Sequence, residues 1–390
     1  MQASQRFTGL NGGGSDGWDL FIKSRRMIAD GVPIIELTIG EHDIRTAPPI
    51  LQAMHDSAMG GHTGYAMVPG TDALRDTVAA RVQARTGVPT TRDNILITPG
   101  GQSALFAAHA AACDPGDVAL YIDPYYATYP GTLRSVSAVP RAVKAHAEHA
   151  FEPLKADLDA AANGARSLLV NSPNNPTGVV YSQATMQGIA DVCQVHNLWL
   201  ISDEVYDTQI WDGTHISPRA LPGMADRTLV VGSMSKSHAM TGSRCGWLIG
   251  PAHVIADAIN YATNTTYGVP GFVQDAALFA LNQGETLETE IGAPFRRRRD
   301  LGRAIFAKQN TVGLIPSGGA MYLMLDIRAT GLSGDDFADK LLTERHIAVM
   351  PGESFGTSAA GHVRVAMTID DDLFANALET LCKFAETLAT

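Results

Sequence analysis

The stretch 228-TLVVGSMSKSHAMTGSRCGWLIG-250 joins an apolar run to a cluster of small and hydroxylated residues. The apolar run, Leu229 to Val231, ends abruptly, and Lys236 follows it among serines. Arg244 comes eight residues after Lys236 and precedes a second apolar run. An apolar run without polar alternation is typical of a strand that is covered on both faces. The stretch therefore predicts two buried strands, with one ammonium group just beyond the first.

Similar runs recur on the amino-terminal side of this stretch and alternate with helical patterns. The strand candidates are 94-NILIT-98, 118-VALYI-122, 167-SLLVN-171, 198-LWLIS-202, 228-TLVVG-232 and 246-GWLIG-250. Helix candidates between them include 102-QSALFAAHAAAC-113 and 183-QATMQGIADVCQVH-196. This order predicts an α/β fold with a mostly parallel sheet and flanking helices.

The pattern changes after about residue 285. A charged helix through 295–309 leads into short strands, and helices at 335–345 and 371–388 flank those strands. We expect a smaller α+β domain built from residues 18–47 and 286–390, a large cofactor-binding domain at 48–285, and an extended arm at 1–17. The basic run Arg296–Arg299 is interpreted as a solvated helix face.

Composition narrows the function classes. The 390 residues carry a formal net charge of −11, which disfavours a nucleic-acid groove or an anionic membrane as the main partner. The four cysteines are scattered without metal-ligand spacing, so we expect no metal site and no disulfide framework. With no signal-peptide pattern and no long apolar run, the sequence predicts a cytoplasmic protein without membrane partners.

Polar residues follow three of the predicted strands. Asn175 follows the strand at 167–171, Asp203 and Tyr206 follow the strand at 198–202, and Lys236 follows the strand at 228–232. Each has an ordinary interpretation as a turn, cap or surface residue. Together they offer an amine for a Schiff base, a carboxylate for a pyridine nitrogen and donors for a phenolate oxygen. Pyridoxal 5′-phosphate (PLP) needs all of these groups.

The sequence resembles the class I/II aminotransferases, the aspartate-aminotransferase-like superfamily of PLP enzymes with fold type I. The resemblance runs from about Pro33 to the C-terminus. It rests on a Ser-x-Ser-Lys motif with Arg eight residues after the lysine, and on 174-NNPTG-178, 202-SDEVY-206 and 362-HVRVAMT-368. It implies PLP as cofactor, and an amino acid and a 2-oxo acid as substrates.

The resemblance also implies roles for the cofactor-binding residues. Lys236 is expected to form the Schiff base and move a proton, and Asp203 to pair with the ring nitrogen. The other residues expected to contact PLP are Gly100, Gly101, Gln102, Tyr126, Asn175, Tyr206, Ser233, Ser235 and Arg244. Of these, Asn175 and Tyr206 are assigned to the ring oxygen, and Tyr126 is expected to stack on the ring.

Further roles concern the substrate and a second subunit. Arg364, with Asn175 and Gly40, is expected to hold the substrate α-carboxylate. Tyr65 is expected to reach the phosphate bound by a neighbouring subunit, so the protein is predicted to be a homodimer. In 362-HVRVAMT-368, valines alternate with polar residues, so the residues alone also permit Arg364 to be a surface side chain.

Two departures from the family pattern bear on the substrate. Relatives that use aspartate often carry Lys after the Gly-Gly pair, where this chain has Gln102. Others carry Arg in the loop that here reads 261-YATNTTYGVP-270, without a basic residue. A buried side-chain carboxylate needs a cationic partner. The sequence therefore predicts a neutral donor, aliphatic or aromatic, with aspartate a poor one, although Arg45 lies near the expected cleft.

Two other functions remain open at this stage. A PLP-dependent C–S β-lyase has the same fold and differs only near the substrate side chain. A PLP-fold transcriptional regulator is disfavoured, because only a short arm precedes the resemblance and the chain is acidic. A dinucleotide enzyme is disfavoured because no predicted strand leads into a GxGxxG motif.

Overall fold

The larger of two sheets forms the centre of the molecule. The computed structural model describes residues 1–13 and 17–389. The seven strands of this sheet, in chain order, are β2 (Ile95–Thr98), β3 (Val118–Asp123), β4 (Val139–Lys144), β5 (Ala165–Asn171), β6 (Trp199–Asp203), β7 (Thr228–Ser233) and β8 (Gly246–Ile249). In space they follow the order β2-β8-β7-β6-β5-β3-β4, and all neighbours are parallel except the two pairs made by β8.

Helices cover both faces of this sheet, as its apolar strands require. They are α3 (Pro48–Met59), α4 (Asp72–Thr86), α5 (Gly100–Ala112), α6 (Tyr129–Ser135), α7 (Lys155–Ala162), α8 (Gln183–Val195), α9 (Met234–Ser237), α10 (Ala252–Thr263) and α11 (Gly271–Asn282). Strand β7 is buried along its whole length. The fold class predicted from the sequence is confirmed by this mixed, mostly parallel sheet.

A five-stranded sheet joins the two ends of the chain. Its strands are β1 (Ile35–Leu37), β9 (Gly313–Leu314), β10 (Tyr322–Asp326), β11 (Ile347–Pro351) and β12 (His362–Ala366), in the spatial order β1-β11-β12-β10-β9. The helices of this part are α1 (Gln5–Thr8), α2 (Asp19–Ala29), α12 (Glu285–Phe306), α13 (Gly334–Arg345) and α14 (Asp371–Leu388). Strand β1 pairs in parallel with β11, so residues far apart in sequence share one sheet.

The structure differs from the sequence prediction in strand β4 and in the amino-terminal arm. Strand β4 was not predicted, because most of its side chains are exposed or half-buried and it lacks a continuous apolar run. Residues 5–8 form a helical turn within the predicted arm, part of which lies outside the described residues. The predicted domain boundaries stay a prediction.

The basic run on α12 corrects the interpretation as a solvated face. Arg298 and Arg299 are only 4% and 3% exposed. Arg298 forms ion pairs with Asp43 and Asp371, and Arg299 with Asp212 and Asp300. The helix buries two of its four consecutive arginines, and their charge is compensated by the neighbouring Asp300 and by carboxylates from segments distant in the chain.

No described helix combines the length and the apolar character that crossing a bilayer demands.

Candidate active site

The sheet brings three polar strand ends together. Strands β5, β6 and β7 are parallel neighbours, and Asn171 lies opposite Asp203 in the register. Because parallel strands end at one edge of the sheet, the residues that follow them converge there. Arg364 on β12 and Gly40 after β1 reach the same place from the five-stranded sheet.

These residues surround a cavity of about 320 Å³, here called the catalytic cavity. The sequence-predicted residues that line it are Gly40, Gly101, Gln102, Tyr126, Asn175, Asp203, Tyr206, Ser233, Ser235, Lys236, Arg244 and Arg364. Gly100 begins helix α5 beside the cavity. Tyr65 lies elsewhere on the surface with its side chain fully open to solvent, 93% exposed.

Lys236 lies on α9, the single helical turn that follows β7. Its Nζ donates a hydrogen bond to the Gly40 carbonyl oxygen. Burial lowers the pKa of Lys236 below its ordinary value, although the nearby Tyr322 and Glu41 act in the opposite direction. A lowered pKa increases the fraction of neutral amine, which is the nucleophilic and proton-accepting form.

Asp203 is a buried carboxyl group at the end of β6. Its Oδ2 accepts a hydrogen bond from the Tyr129 hydroxyl at 2.7 Å, and its Oδ1 accepts one from the Val205 amide at 3.3 Å. Burial raises the pKa of Asp203 to about 6, against the effect of the Tyr129 hydrogen bond. A cationic ring nitrogen placed here would stabilise the ionised carboxylate.

Arg364 is held between two aromatic rings. Its Cζ lies 4.4 Å from the centroids of both Tyr322 and Phe355. Its Nη1 donates to Asn175 Oδ1 at 2.9 Å, and its Nη2 donates to the Thr38 carbonyl oxygen. Its Nε is buried without a hydrogen-bond partner. A guanidinium that is 2% exposed and has an unused donor suits a small carboxylate ligand.

Tyr322 links the substrate side of the cavity to the cofactor side. Its hydroxyl lies 2.9 Å from the hydroxyl of Tyr206, and burial raises the pKa of Tyr206 well above its ordinary value. A Cβ atom on Gly40 would lie 1.8 Å from the Tyr322 hydroxyl oxygen. The position next to Lys236 and Tyr322 therefore requires glycine.

The N-terminus of α5 and the α9 turn form a cradle for an anion. Gly100 has φ +76°, and a Cβ atom there would lie 2.2 Å from Arg244 Nη2. The hydroxyls of Ser233 and Ser235 lie 2.9 Å apart. A helix N-terminus, two hydroxyls and a guanidinium are suitable donors for a phosphate dianion. With Asp203 opposite, the donor set of the cavity fits PLP.

Gln102 makes neutral contacts at the rim of the cavity. Its Nε2 donates to Thr132 Oγ1 at 2.8 Å, and its Oε1 accepts from Thr128 Oγ1 at 3.2 Å. Arg45 does not line the catalytic cavity. The three cations that do are Lys236, Arg244 and Arg364, as far as the structure describes the lining.

Comparison with known proteins agrees with this geometry. The family model "Aminotransferase class I and II" matches residues 32–381, which is most of the chain. The chain belongs to this aminotransferase family. It is a PLP-dependent aminotransferase that acts on amino acids and 2-oxo acids, as the motifs predicted.

Relatives that are similar to this aminotransferase have different substrates in their names. It is 39% identical to an arginine–pyruvate transaminase of Pseudomonas aeruginosa, over 92% of each chain. It is 32% identical to an aspartate/prephenate aminotransferase of Thermus thermophilus, over 94% of each chain. A double mutant of Thermus thermophilus aspartate aminotransferase superposes over the full length of both chains with a TM-score of 0.92 at 31% identity. Family membership is thus clear, whereas the names of the relatives leave the side-chain preference open.

Sequence reasoning missed several residues that line the aminotransferase cavity, among them the aromatic residues Trp18, Tyr129 and Tyr322. Tyr129 lies three residues after the predicted Tyr126, in 123-DPYYATY-129, but nothing in the sequence indicated its hydrogen bond to Asp203. Tyr322 lies on β10, and only the pairing of β10 with β12 brings it beside Arg364. Trp18 precedes α2 in a Gly-rich region without a recognisable pattern.

Proposed function

We propose that this aminotransferase transfers an amino group by a ping-pong mechanism in which Lys236 carries the proton at the substrate α-carbon. The supporting observation is the arrangement of Lys236, Asp203 and Arg364 around one cavity of about 320 Å³. When bound, PLP supplies an aldehyde that condenses with amines and a ring that withdraws electrons from the α-carbon. The remaining chemistry belongs to the side chains.

Each side chain has one task in this proposal. Arg364 pairs with the α-carboxylate, and its contact with Asn175 fixes the guanidinium. Asp203 keeps a proton on the ring nitrogen, while Asn175 and Tyr206 donate to the ring oxygen. Lys236, with its pKa lowered by burial, would accept the α-proton and deliver it to the cofactor carbon C4′, two bonds from the α-carbon.

Reduction with borohydride tests the assignment of Lys236. The holoenzyme treated with borohydride and digested should carry the cofactor on the peptide containing Lys236, and the Lys236→Ala variant should carry none there. Modification of a different lysine in the wild type would refute the assignment.

We propose that a second copy of the chain completes the site. Tyr65 is 93% exposed and packs edge-to-face on Tyr267, with ring centroids 5.2 Å apart. Exposed aromatic and methionine side chains, including Met67 at 69%, are typical of interface surfaces. In the homodimer, Tyr65 would donate to the phosphate bound by the neighbouring subunit.

The four cysteines are free and buried, which supports a cytoplasmic, reducing compartment.

We propose that aspartate is a poor donor. The neutral contacts of Gln102 and the position of Arg45 outside the cavity support this, since a buried carboxylate without a cation is unfavourable. A neutral donor, aliphatic or aromatic, stays a prediction from the sequence. Pyruvate is the first acceptor to test, because one relative is named for it.

Single-turnover absorbance spectra with a panel of amino acids test the reaction class and the donor. Conversion of the cofactor to its amine form, followed by recovery with pyruvate, is expected for an aminotransferase. Release of ammonia and pyruvate from cystathionine, without such conversion, would favour the C–S β-lyase instead.

A further inference from the structure

A second and larger cavity adjoins the catalytic cavity. Trp18 and Gln102 line both the catalytic cavity and a neighbouring cavity of about 1120 Å³, here called the outer cavity. Asp19, Asp335 and Glu353 also line the outer cavity. A substrate side chain long enough to extend beyond Trp18 and Gln102 would therefore approach the outer cavity.

The outer cavity is acidic. Among the described residues that line it, Arg134 is the one with a permanent positive charge, and its Nη1 donates to the Leu10 carbonyl oxygen at 2.8 Å. Burial, and then the charges of Glu353, Asp336 and Asp19, raise the pKa of Asp335. Crowded carboxylates favour a cation between them.

Glu353 is held in place by the backbone. Its Oε1 accepts hydrogen bonds from the amides of Gly334 at 2.9 Å and Gly361 at 3.1 Å. Its Oε2 is buried without a hydrogen-bond partner. The Glu353 carboxylate is therefore oriented before any ligand arrives, which limits the entropic cost of placing a cation beside it.

We propose that the donor carries a cationic side chain, a guanidinium or an ammonium, which passes Trp18 and is bound by Asp19 in the outer cavity. The face of an indole ring attracts a cation, and a carboxylate accepts a bidentate pair of hydrogen bonds from a guanidinium. A side-chain carboxylate in the outer cavity would meet the like charges of Asp19, Asp335 and Glu353 against the guanidinium of Arg134. The inference rests on the proposed function, keeps aspartate a poor donor, and replaces the neutral donor of the sequence prediction by a cationic one.

Arginine and citrulline provide a matched pair of probes. They have nearly the same shape, but citrulline has a neutral urea in place of the guanidinium. In single-turnover experiments with the wild-type holoenzyme, we expect arginine to react with at least ~10-fold higher efficiency, since a charge-assisted pair is stronger than a neutral hydrogen bond. Equal efficiencies, or a preference for citrulline, would overturn the inference.

The variant Asp19→Asn tests whether Asp19 binds the cationic side chain of the donor. The ratio of arginine to citrulline efficiencies should fall to about one, because the amide has no charge to distinguish the two side chains. Asp30→Asn is the matched control, since Asp30 is an exposed aspartate at the other end of the same helix and its loss should keep the ratio. Asp19 also lies in the first turn of α2, where it complements the helix dipole. A purely structural role would lower thermal stability and leave the ratio as in the wild type, which would contradict the proposal.

A binding measurement separates recognition from catalysis. The probe 5-guanidinopentanoate is arginine without its α-amino group, and it should bind the wild-type holoenzyme more tightly than the Asp19→Asn variant by at least ~5-fold in calorimetric titration. Equal affinities would count against Asp19. Alanine as a donor distinguishes failure of this inference from failure of the proposed function. If alanine is converted and arginine is not, only the inference fails. If no amino acid is converted, the proposed function fails.

Discussion

At the scale of single residues, the site depends on buried polar groups whose partners are already in place. Asp203 receives the Tyr129 hydroxyl, and Arg364 is fixed by Asn175 and two aromatic rings. Such preorganised contacts cost little reorganisation during the reaction. Replacing one of these residues should therefore affect catalysis more than folding.

The variant Asp203→Asn should retain PLP but lose turnover by at least ~100-fold, about 2.7 kcal/mol of barrier, because a neutral amide stabilises a ring cation poorly. Stopped-flow rates of the amino-acid half-reaction measure the loss. Tyr129→Phe is the control, since it keeps the carboxylate and removes only one hydrogen bond, so its effect should be smaller. Near-normal turnover of Asp203→Asn would show that this carboxylate is not the ring partner.

At the scale of elements, helix α5 has two features that matter. Its N-terminus faces Arg244 at the anion cradle, and its interior contains His109, whose ring nitrogens are both buried without a hydrogen-bond partner. The first feature concerns cofactor affinity. The second concerns the response of stability to pH.

Gly100→Ala should weaken PLP binding by at least ~10-fold, because an alanine there is strained at φ +76° and its Cβ would displace the Arg244 guanidinium. Titration of the apoenzyme with PLP, followed by fluorescence, gives the dissociation constant. Gly242→Ala is the matched control, since a Cβ atom there meets no neighbour within 4 Å. Equal affinities of the two variants would contradict the cradle.

His109→Met should make the protein less sensitive to acid. Burial lowers the pKa of His109 from its ordinary value of 6.5 to about 3, so between these values the unfolded chain binds more protons than the folded chain. Stability contributed by the neutral ring is thus complete above pH 6.5 and is lost as the pH falls toward 3.

Thermal unfolding at pH 7 and pH 5 measures this effect. The decrease in Tm from pH 7 to pH 5 should be smaller in His109→Met than in the wild type. The control His55→Met, at an exposed position, should show the same decrease in Tm as the wild type. An unchanged decrease in His109→Met would show that other groups dominate, among them His42 and His238, for which burial lowers the pKa to about 4.

At the scale of the whole molecule, one chain surrounds the catalytic cavity but leaves Tyr65 and Tyr267 on its surface. Tyr65 is 93% exposed and does not line the catalytic cavity of its own chain. The homodimer that we propose would give it a site in the neighbouring subunit. This arrangement predicts that defects in different subunits can complement each other.

Mixed dimers of Tyr65→Phe and Lys236→Ala subunits should be more active than either mutant homodimer. One site of the mixed dimer would then carry both defects and the other neither. Steady-state rates after verified subunit exchange provide the measurement, with Tyr121→Phe in place of Tyr65→Phe as control, because Tyr121 is buried within its own chain. Absence of recovery would indicate that Tyr65 serves its own subunit or none.

The sequence by itself was sufficient to predict the α/β fold class, the strands whose apolar runs are covered on both faces, and the family. Those features are local, because burial on both faces produces a continuous apolar run, and strand ends such as 171-NSPNNPTG-178 have specific turn chemistry. Strand β4 escaped detection because its outward side chains follow no such pattern.

Only the tertiary structure determined contacts between residues that are distant in sequence. The alternation of residue types in 362–368 is compatible with a surface position for Arg364. The side chain is buried because β12 lies between β10 and β11 in the five-stranded sheet. The pairings of Arg298 with Asp43 and of Tyr129 with Asp203 also cross long stretches of chain. The outer cavity is of the same kind, because it exists only where residues 17–20, 102–103, 106–107, 335 and 353–354 meet. Periodicity along a chain records which face is buried, whereas the identity of the partner depends on how the elements pack.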